Sequence, residues 1–317
     1  MPAQRLGVGT SLLARTEMFR AQHGVAIKME QRVYRPGAPA LDLPPGAVML
    51  QNLPSLAAAA VLAPTPGSRV LDLCAAPGGK TTALAARVAG PGAGPRGTVI
   101  ALDRSHSKAA QIRALAKECG VGEFVAAYKG DATKCPAMTE GLKRRLERKA
   151  AARRRHKQAP VTSAHLPEGK EPVCPGFPPA SFDFVLCDAP CSALGLRPRL
   201  RHEQTLQELR GTAAYQRKIL AAGVAALKPG GALVFSTCTI SHLENEGNVR
   251  WLLDSYPNVR LVPAEPRIAG PGLQGLLTAE EASLVQRFDP GVQPAQEQGT
   301  HALDSIGFFI AKFVKAD

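Results

Sequence analysis

The stretch "SRVLDLCAAPGGKTTALAARVAG", residues 68–90, decides the fold. It opens on a short β-branched, apolar run that ends in an acid and a cysteine. It turns through Pro-Gly-Gly and continues into a segment rich in alanine and leucine. A strand, a tight glycine turn and a helix in that order make the first half of a βαβ unit. The pattern recurs outward from there. "GTVIALD" (97–103), "EFVAAYKGD" (123–131), "SFDFVLCD" (181–188) and "GALVFSTC" (231–238) read as further strands. Helical stretches such as "SKAAQIRALAKECG" and "AAYQRKILAAGVAALKPGG" (213–231) lie between them. "NVRLVPAE" and "IGFFIAKFVK" (306–315) add two more strand candidates. Strands alternating with helices predict an α/β, doubly wound, Rossmann-like fold with a mostly parallel seven-stranded sheet. The last strand alternates less cleanly and is expected to run antiparallel.

Composition narrows the class. The chain has 317 residues, 45% hydrophobic and 21% charged, enough for a full core. No apolar run approaches the roughly 18 residues of a membrane helix. The opening "MPAQRLGVGTSLLARTEMFR" has no continuous apolar region, so no signal peptide is expected. Seven cysteines at irregular spacing argue against a disulfide framework. No C-x2-C pairs occur and the seven histidines are scattered, so no metal is expected. A net charge of +13 favours a polyanionic partner, most simply nucleic acid.

Two regions stand apart. Residues 1–47 carry the Pro/Gly-rich connector "PGAPALDLPPG". An insertion over about 138–180 holds "KRRLERKAAARRRHK" (143–157), with nine Lys/Arg against one Glu, then a Pro-rich run. This insertion reads as a solvated surface segment that is also a candidate RNA contact.

In an open α/β sheet, ligands bind beyond the carboxyl ends of the strands. "DLCAAPGGK" (72–80) sits there, and Gly78 and Gly79 let backbone approach a ligand at a helix start. The spacing fits neither a P-loop nor G-x-G-x-x-G. Asp103 ends the second strand, where a ribose hydroxyl pair is held in dinucleotide folds, and Asp131 ends the third. A glycine turn with two such acids predicts a nucleoside ligand. Two further strand ends present thiols: Cys191 in "DAPCS" and Cys238 in "FSTCTI". They are either small buried hydrophobes or two parts of one reaction. Cys74, Cys119, Cys135 and Cys187 read as core thiols.

The motifs "LDLCAAPGGKTT", "ALD", "GDATK", "DAPCS" and "FSTCTI…ENE" resemble, in order, those of the Sun-domain RNA (cytosine-5) methyltransferases, the NSUN family. The resemblance covers residues 48–317, the expected catalytic domain. "MLQNLPS" (49–55), "QRFDP" (286–290) and "DSIGFFIAKFVK" (304–315) are most similar to the member that carries a PUA domain before its core. "LGVGTSLLARTEMF" resembles only the end of such a domain, so residues 1–47 are expected to hold that end and a linker, without the PUA body.

The resemblance implies S-adenosyl-L-methionine as cofactor, held by Cys74, Ala75, Ala76, Pro77, Gly78, Gly79 and Lys80 with Asp103, Asp131 and Asp188. It implies an RNA partner, with tRNA the expected class, for a monomer in the cytoplasm (the basic run leaves the nucleus open). It implies covalent catalysis, in which a thiolate adds to cytosine C6 so that C5 can take a methyl group. Position along the chain does not say which cysteine attacks. By resemblance Cys238 is the nucleophile and Cys191 serves proton removal and release, whereas DNA cytosine-5 methyltransferases attack with the Pro-Cys cysteine. Asp188 is placed to meet the cytosine amino edge or N3, and Lys80 to orient Asp188 or touch the base. The family commonly has glycine where Ala193 stands. The competing readings are methylation of another RNA atom and a non-catalytic RNA-binding protein that keeps the fold.

Overall fold

The structure, a computed structural model, describes residues 51–90, 96–135, 144, 173–196, 202–290 and 305–316. The chain divides into two compact units, Met1–Val48 and Met49–Asp317. The expectations for residues 1–47 and for the basic run 143–157, Arg144 apart, lie outside the described residues.

The described strands form one sheet: β1 (Arg69–Asp72), β2 (Thr98–Asp103), β3 (Val125–Lys129), β4 (Phe182–Asp188), β5 (Leu227–Thr237), β6 (Val259–Val262), β7 (Gln286–Phe288) and β8 (Phe308–Lys315). Their order is β3-β2-β1-β4-β5-β8-β6, with β7 also on β8. Strands β1 to β5 pair in parallel. β8 runs antiparallel to β5, β6 and β7. The seven-strand path and its antiparallel last strand match the expectation. β7 is additional: three residues are too short to show a period of two.

Helices cover both faces, and the strand pleat assigns residues to them. Leu71, Val185, Cys187, Leu233, Phe235, Phe309 and Phe313 fall into one core cluster with Ile219 and Leu220 of α4 (Leu206–Ala226) and Val249 and Leu252 of α5 (Glu246–Ser255). Their neighbours Val70, Leu186, Val234, Phe308 and Ile310 turn the other way. They meet Ala57 to Leu62 of α1 (Leu53–Leu62) and Leu84 and Val88 of α2 (Gly79–Ala89). Ile112 of α3 (His106–Glu118) packs with Ala101 and Ala127. Burial on both faces is why the central strands read as near-continuous apolar runs. Each fully buried large side chain contributes roughly 1.5–3 kcal/mol.

Four boundaries differ from the expectation. α4 begins at Leu206 because Thr205 and Glu208 form a capping box, Thr205 Oγ1 accepting from Glu208 N–H and Glu208 accepting from Thr205 N–H. It ends at Ala226 rather than continuing to Gly231, because Pro229 disfavours a helical Lys228. Leu227 therefore already pairs with Phe182, and β5 is longer than expected. Asp131, expected to end β3, lies past it. There it caps the 3-10 turn Ala132–Lys134 by accepting from Thr133 N–H.

Candidate active site

Parallel register brings the carboxyl ends of the strands to one edge. Asp72 of β1 lies across from Ala101 and Leu186, and Asp188 of β4 lies across from Ser236 of β5. Residues just beyond these ends share one rim.

On the β1 side the rim is mostly backbone. Cys74 and Ala76 are half-buried, Ala75 is buried with its N–H on Leu102 O, and Pro77 is exposed. Gly78 has φ 116°, a conformation that L side chains rarely adopt, and Gly79 opens α2. Asp103 Oδ1 accepts from Ser105 N–H at 3.0 Å. Asp131 Oδ1 accepts from Thr133 N–H at 3.0 Å and from its hydroxyl at 2.7 Å. Desolvation pushes the Asp131 carboxyl up, but those two bonds, with Lys134 and Arg104 nearby, hold it below its ordinary value. Each acid thus spends one oxygen on its own turn. Among the described residues the other oxygen carries no protein hydrogen bond.

Asp72 belongs here too, although the sequence reading did not single it out. It is 1% exposed, and its Oδ2 accepts from Thr81 Oγ1 at 2.7 Å. Its Oδ1 has no partner among the described residues. Burial pushes this carboxyl up to about 7, against the hydrogen bond from Thr81; Asp188 raises it further and Lys80 opposes. A buried orphan acceptor beside a glycine turn, with two half-used acids on the next strands, fits a nucleoside carrying an amino group. Cys74 to Lys80, Asp103 and Asp131 would hold such a group, with Asp72 added.

The β4 and β5 ends are built from side chains. Asp188 Oδ2 accepts from Lys80 Nζ at 2.7 Å, and Oδ1 accepts from Ser236 Oγ at 2.6 Å. Lys80 also donates to Ser55 Oγ at 3.2 Å and lies 5.3 Å from the centre of the Phe308 ring. Lys80 therefore orients Asp188, one of the two roles expected for it. Ser55 and Phe308 lie in motifs quoted above, but nothing in a string of letters places them on Lys80.

Beyond these ends, the Cys191 and Cys238 sulfurs lie 3.3 Å apart, both half-buried. Either thiol can donate in this contact; Lys80 lies on the Cys238 side and favours negative charge there, so we assign the S–H to Cys191. That bond holds the Cys238 thiol below its ordinary value, with help from Lys80, against burial and the Asp188 charge. The same bond, then burial and the Cys238 charge, push Cys191 far up, although its sulfur accepts from the Ala193 and Cys238 N–H groups. Cys238 is the readier thiolate. Ala193 adopts φ 56°, a left-handed conformation in which glycine would be relaxed. The loop is closed by backbone: Gly195 N–H donates to Cys238 O at 3.1 Å, and Gly307 N–H to Gly195 O at 2.8 Å. A Cβ on Gly195 would lie 2.1 Å from Gly307 O, so glycine is required by the close approach.

The remaining thiols divide. Cys187 and Cys135 are buried, as expected of core thiols. Cys74 and Cys119 are only half-buried, because Cys74 lies beyond the end of β1 and Cys119 is the C-cap of α3. Cys135 hydrogen-bonds to Cys174 and draws that thiol down to about 7. Among the described residues no group of three or more His, Cys, Asp or Glu is arranged to hold a metal ion, and no helix is long and apolar enough to cross a membrane.

The sequence profile described as 16S rRNA methyltransferase RsmB/F matches residues 59–314. The chain is 39% identical, over 98% of its length, to the mouse tRNA (cytosine(72)-C(5))-methyltransferase NSUN6. It is 37% identical, over 97% of its length, to the Arabidopsis thaliana rRNA (cytosine-C(5))-methyltransferase NOP2C. It spans 62% and 60% of those two relatives. Among solved structures, NSun6 from Pyrococcus horikoshii with SFG, an analogue of S-adenosylmethionine, superposes with TM-score 0.63 at 31% identity, over 89% of this chain and 57% of that one. With the profile matching most of its length, this chain belongs to the RsmB/F family, the Sun-domain methyltransferases.

Proposed function

We propose that this chain transfers a methyl group from S-adenosylmethionine to C5 of cytosine in RNA, with tRNA the substrate class, through a covalent bond between Cys238 and C6. The observation that carries the reading is the pair of thiols 3.3 Å apart beside the Lys80–Asp188 ion pair. The names of the relatives support cytosine C5 as the acceptor. The glycine turn and the spare acid oxygens described above, and the SFG bound by the P. horikoshii structure, support the cofactor. When bound, that cofactor supplies an electrophilic methyl group.

The chain's residues do the rest. The Cys238 thiolate adds to C6 of an unstacked base, which breaks the ring's aromaticity and makes C5 nucleophilic. Asp188 accepts from the cytosine amino group, and Lys80 keeps the acid in place. Once its sulfur is bound to C6, Cys238 no longer hydrogen-bonds to Cys191 or repels negative charge there. After C5 has taken the methyl group, the two backbone N–H groups on the Cys191 sulfur favour its thiolate: Cys191 releases its own proton to solvent and then takes the proton from C5. The C6–S bond breaks and Cys238 leaves as thiolate.

The test uses labelled S-adenosylmethionine and tRNA with Cys238→Ala and Cys191→Ala. Neither variant should methylate, and only Cys191→Ala should give a protein–RNA adduct that survives denaturation. An adduct with Cys238→Ala would exchange the two roles. Methylation by Cys238→Ala would end the covalent mechanism.

A further inference from the structure

We infer that Glu244, through Ser192 and Thr239, is a positioning residue that sets the spacing of the two thiols; this rests on the division of labour proposed above. Glu244 is completely buried, and its carboxylate bonds to the residue after Cys191 and to Gln216 of α4. Oε2 accepts from Ser192 N–H at 2.9 Å and from Gln216 Nε2 at 3.0 Å. Oε1 accepts from Ser192 Oγ at 2.5 Å. Because the Ser192 hydroxyl proton goes to Glu244, the 2.7 Å bond between Ser192 Oγ and Thr239 Oγ1 must run from Thr239 to Ser192. Thr239 Oγ1 in turn accepts from Ser241 N–H. A directed chain therefore joins the residue after Cys191 to the residue after Cys238.

The residues before the cysteines are held by the same network. Gln216 also donates to Pro190 O at 2.9 Å, just ahead of Cys191. Asn245, the neighbour of Glu244, accepts from Thr237 Oγ1 at 2.6 Å and donates to Thr239 O at 2.9 Å. It stands at the N-cap of α5 but makes no side-chain cap bond, because its side chain is taken up by the Cys238 loop. Thus both flanks of both cysteines are fastened by Gln216, Glu244 and Asn245.

A burial of this kind argues for more than packing. Desolvating a carboxylate costs several kcal/mol, and apolar residues of similar volume would often hold two loops as stably. What a fully satisfied polar network adds is rigidity in one arrangement. That matters here because the thiols act at different steps on one base. A misplacement of 1 Å can cost about 100-fold in rate.

The experiment reads spacing and turnover separately. Each protein is treated with diamide at fixed pH. The rate of Cys191–Cys238 disulfide formation is measured by mass spectrometry and divided by the rate of Cys238 alkylation, to remove thiolate effects. Thr239→Val and Ser192→Ala should slow cross-linking about tenfold and lower kcat on tRNA about 10- to 100-fold, with KM for RNA little changed. Thr239→Ser, which keeps the hydroxyl, should recover both to within about threefold of the starting protein. Cross-linking at the starting rate in Thr239→Val and Ser192→Ala would overturn the inference, whatever happens to activity. Slowed cross-linking in a protein family of variants that never methylates RNA would support the positioning and sink the functional reading instead.

Discussion

The two halves of the rim are built on opposite principles. At the ends of β1 to β3 the chain offers backbone and acids with acceptors to spare: among the described residues Asp72 Oδ1 is unpartnered and buried, and Asp103 and Asp131 each bond to protein through one oxygen. At the ends of β4 and β5 Asp188 has both oxygens engaged, the thiols bond to each other, and Glu244 and Asn245 bond to the two cysteine loops behind them. The first half is a receptor whose hydrogen bonds wait for a ligand. The second is an apparatus that holds its geometry without one. The difference fits a cofactor that must come and go and reacting groups that must not drift.

The contrast can be broken most severely at Lys80, which links the halves from the first turn of α2. Lys80→Met leaves Asp188 without its cation and removes the positive charge that favours the Cys238 thiolate. We expect kcat to fall about 100- to 1,000-fold. The rising limb of the pH–rate profile should move to higher pH, since losing a nearby cation raises a thiol's pKa.

Asp72 is the next largest effect. A buried acid whose folded pKa stands near 7 carries its penalty only when ionised. The penalty is small below the unfolded range near 4, grows as pH rises, and is complete above about 7. Asp72→Asn should therefore gain stability over the starting protein by roughly 2–3 kcal/mol between about pH 5 and pH 8. Urea unfolding of the cofactor-free proteins at both pH values checks it. A constant difference would mean Asp72 stays charged throughout.

Asp103→Ala sharpens the contrast from the receptor side. Its loss should weaken cofactor binding about tenfold by calorimetry. The RNA adduct of a Cys191→Ala background should form as before, because among the described residues Asp103 makes its hydrogen bond to Ser105 and none to the β4–β5 network. The smallest effect is expected at Ala193. Glycine there relieves the left-handed strain but adds freedom to the unfolded chain, so Ala193→Gly should change stability by less than about 1 kcal/mol in thermal unfolding.

How far the sequence could be read follows the same division. Acids and cysteines after apolar runs were legible because parallel strands end in register, so position along each run fixes position on the rim. Asp72 follows the same rule, but inside "VLDLC" it reads as an interruption of a strand rather than its end. The roles of Glu244 and Asn245 were not legible. Acids and Asn at a helix start normally serve as exposed caps, and only the return of α5 against the β4 loop turns them inward. Cys74 and Cys119 misled for the opposite reason: thiols are usually buried, but both stand just past the end of an element. The end of α4 was readable from Pro229 and was overrun by the strength of the preceding helical pattern.

The antiparallel β8 has a consequence for the order of events during synthesis. Cys238 sits at the tip of β5, whose far edge pairs with β8, and the Gly195–Gly307 clasp closes the cysteine loop from that same segment. Roughly 70 residues separate Thr237 from Phe308, so at about 5–20 residues per second the ribosome takes on the order of 4–14 s to deliver the missing edge. During that interval the chain presents an unpaired apolar strand tipped by Cys238. The rim around the two thiols is thus one of the last parts of the described sheet to be finished.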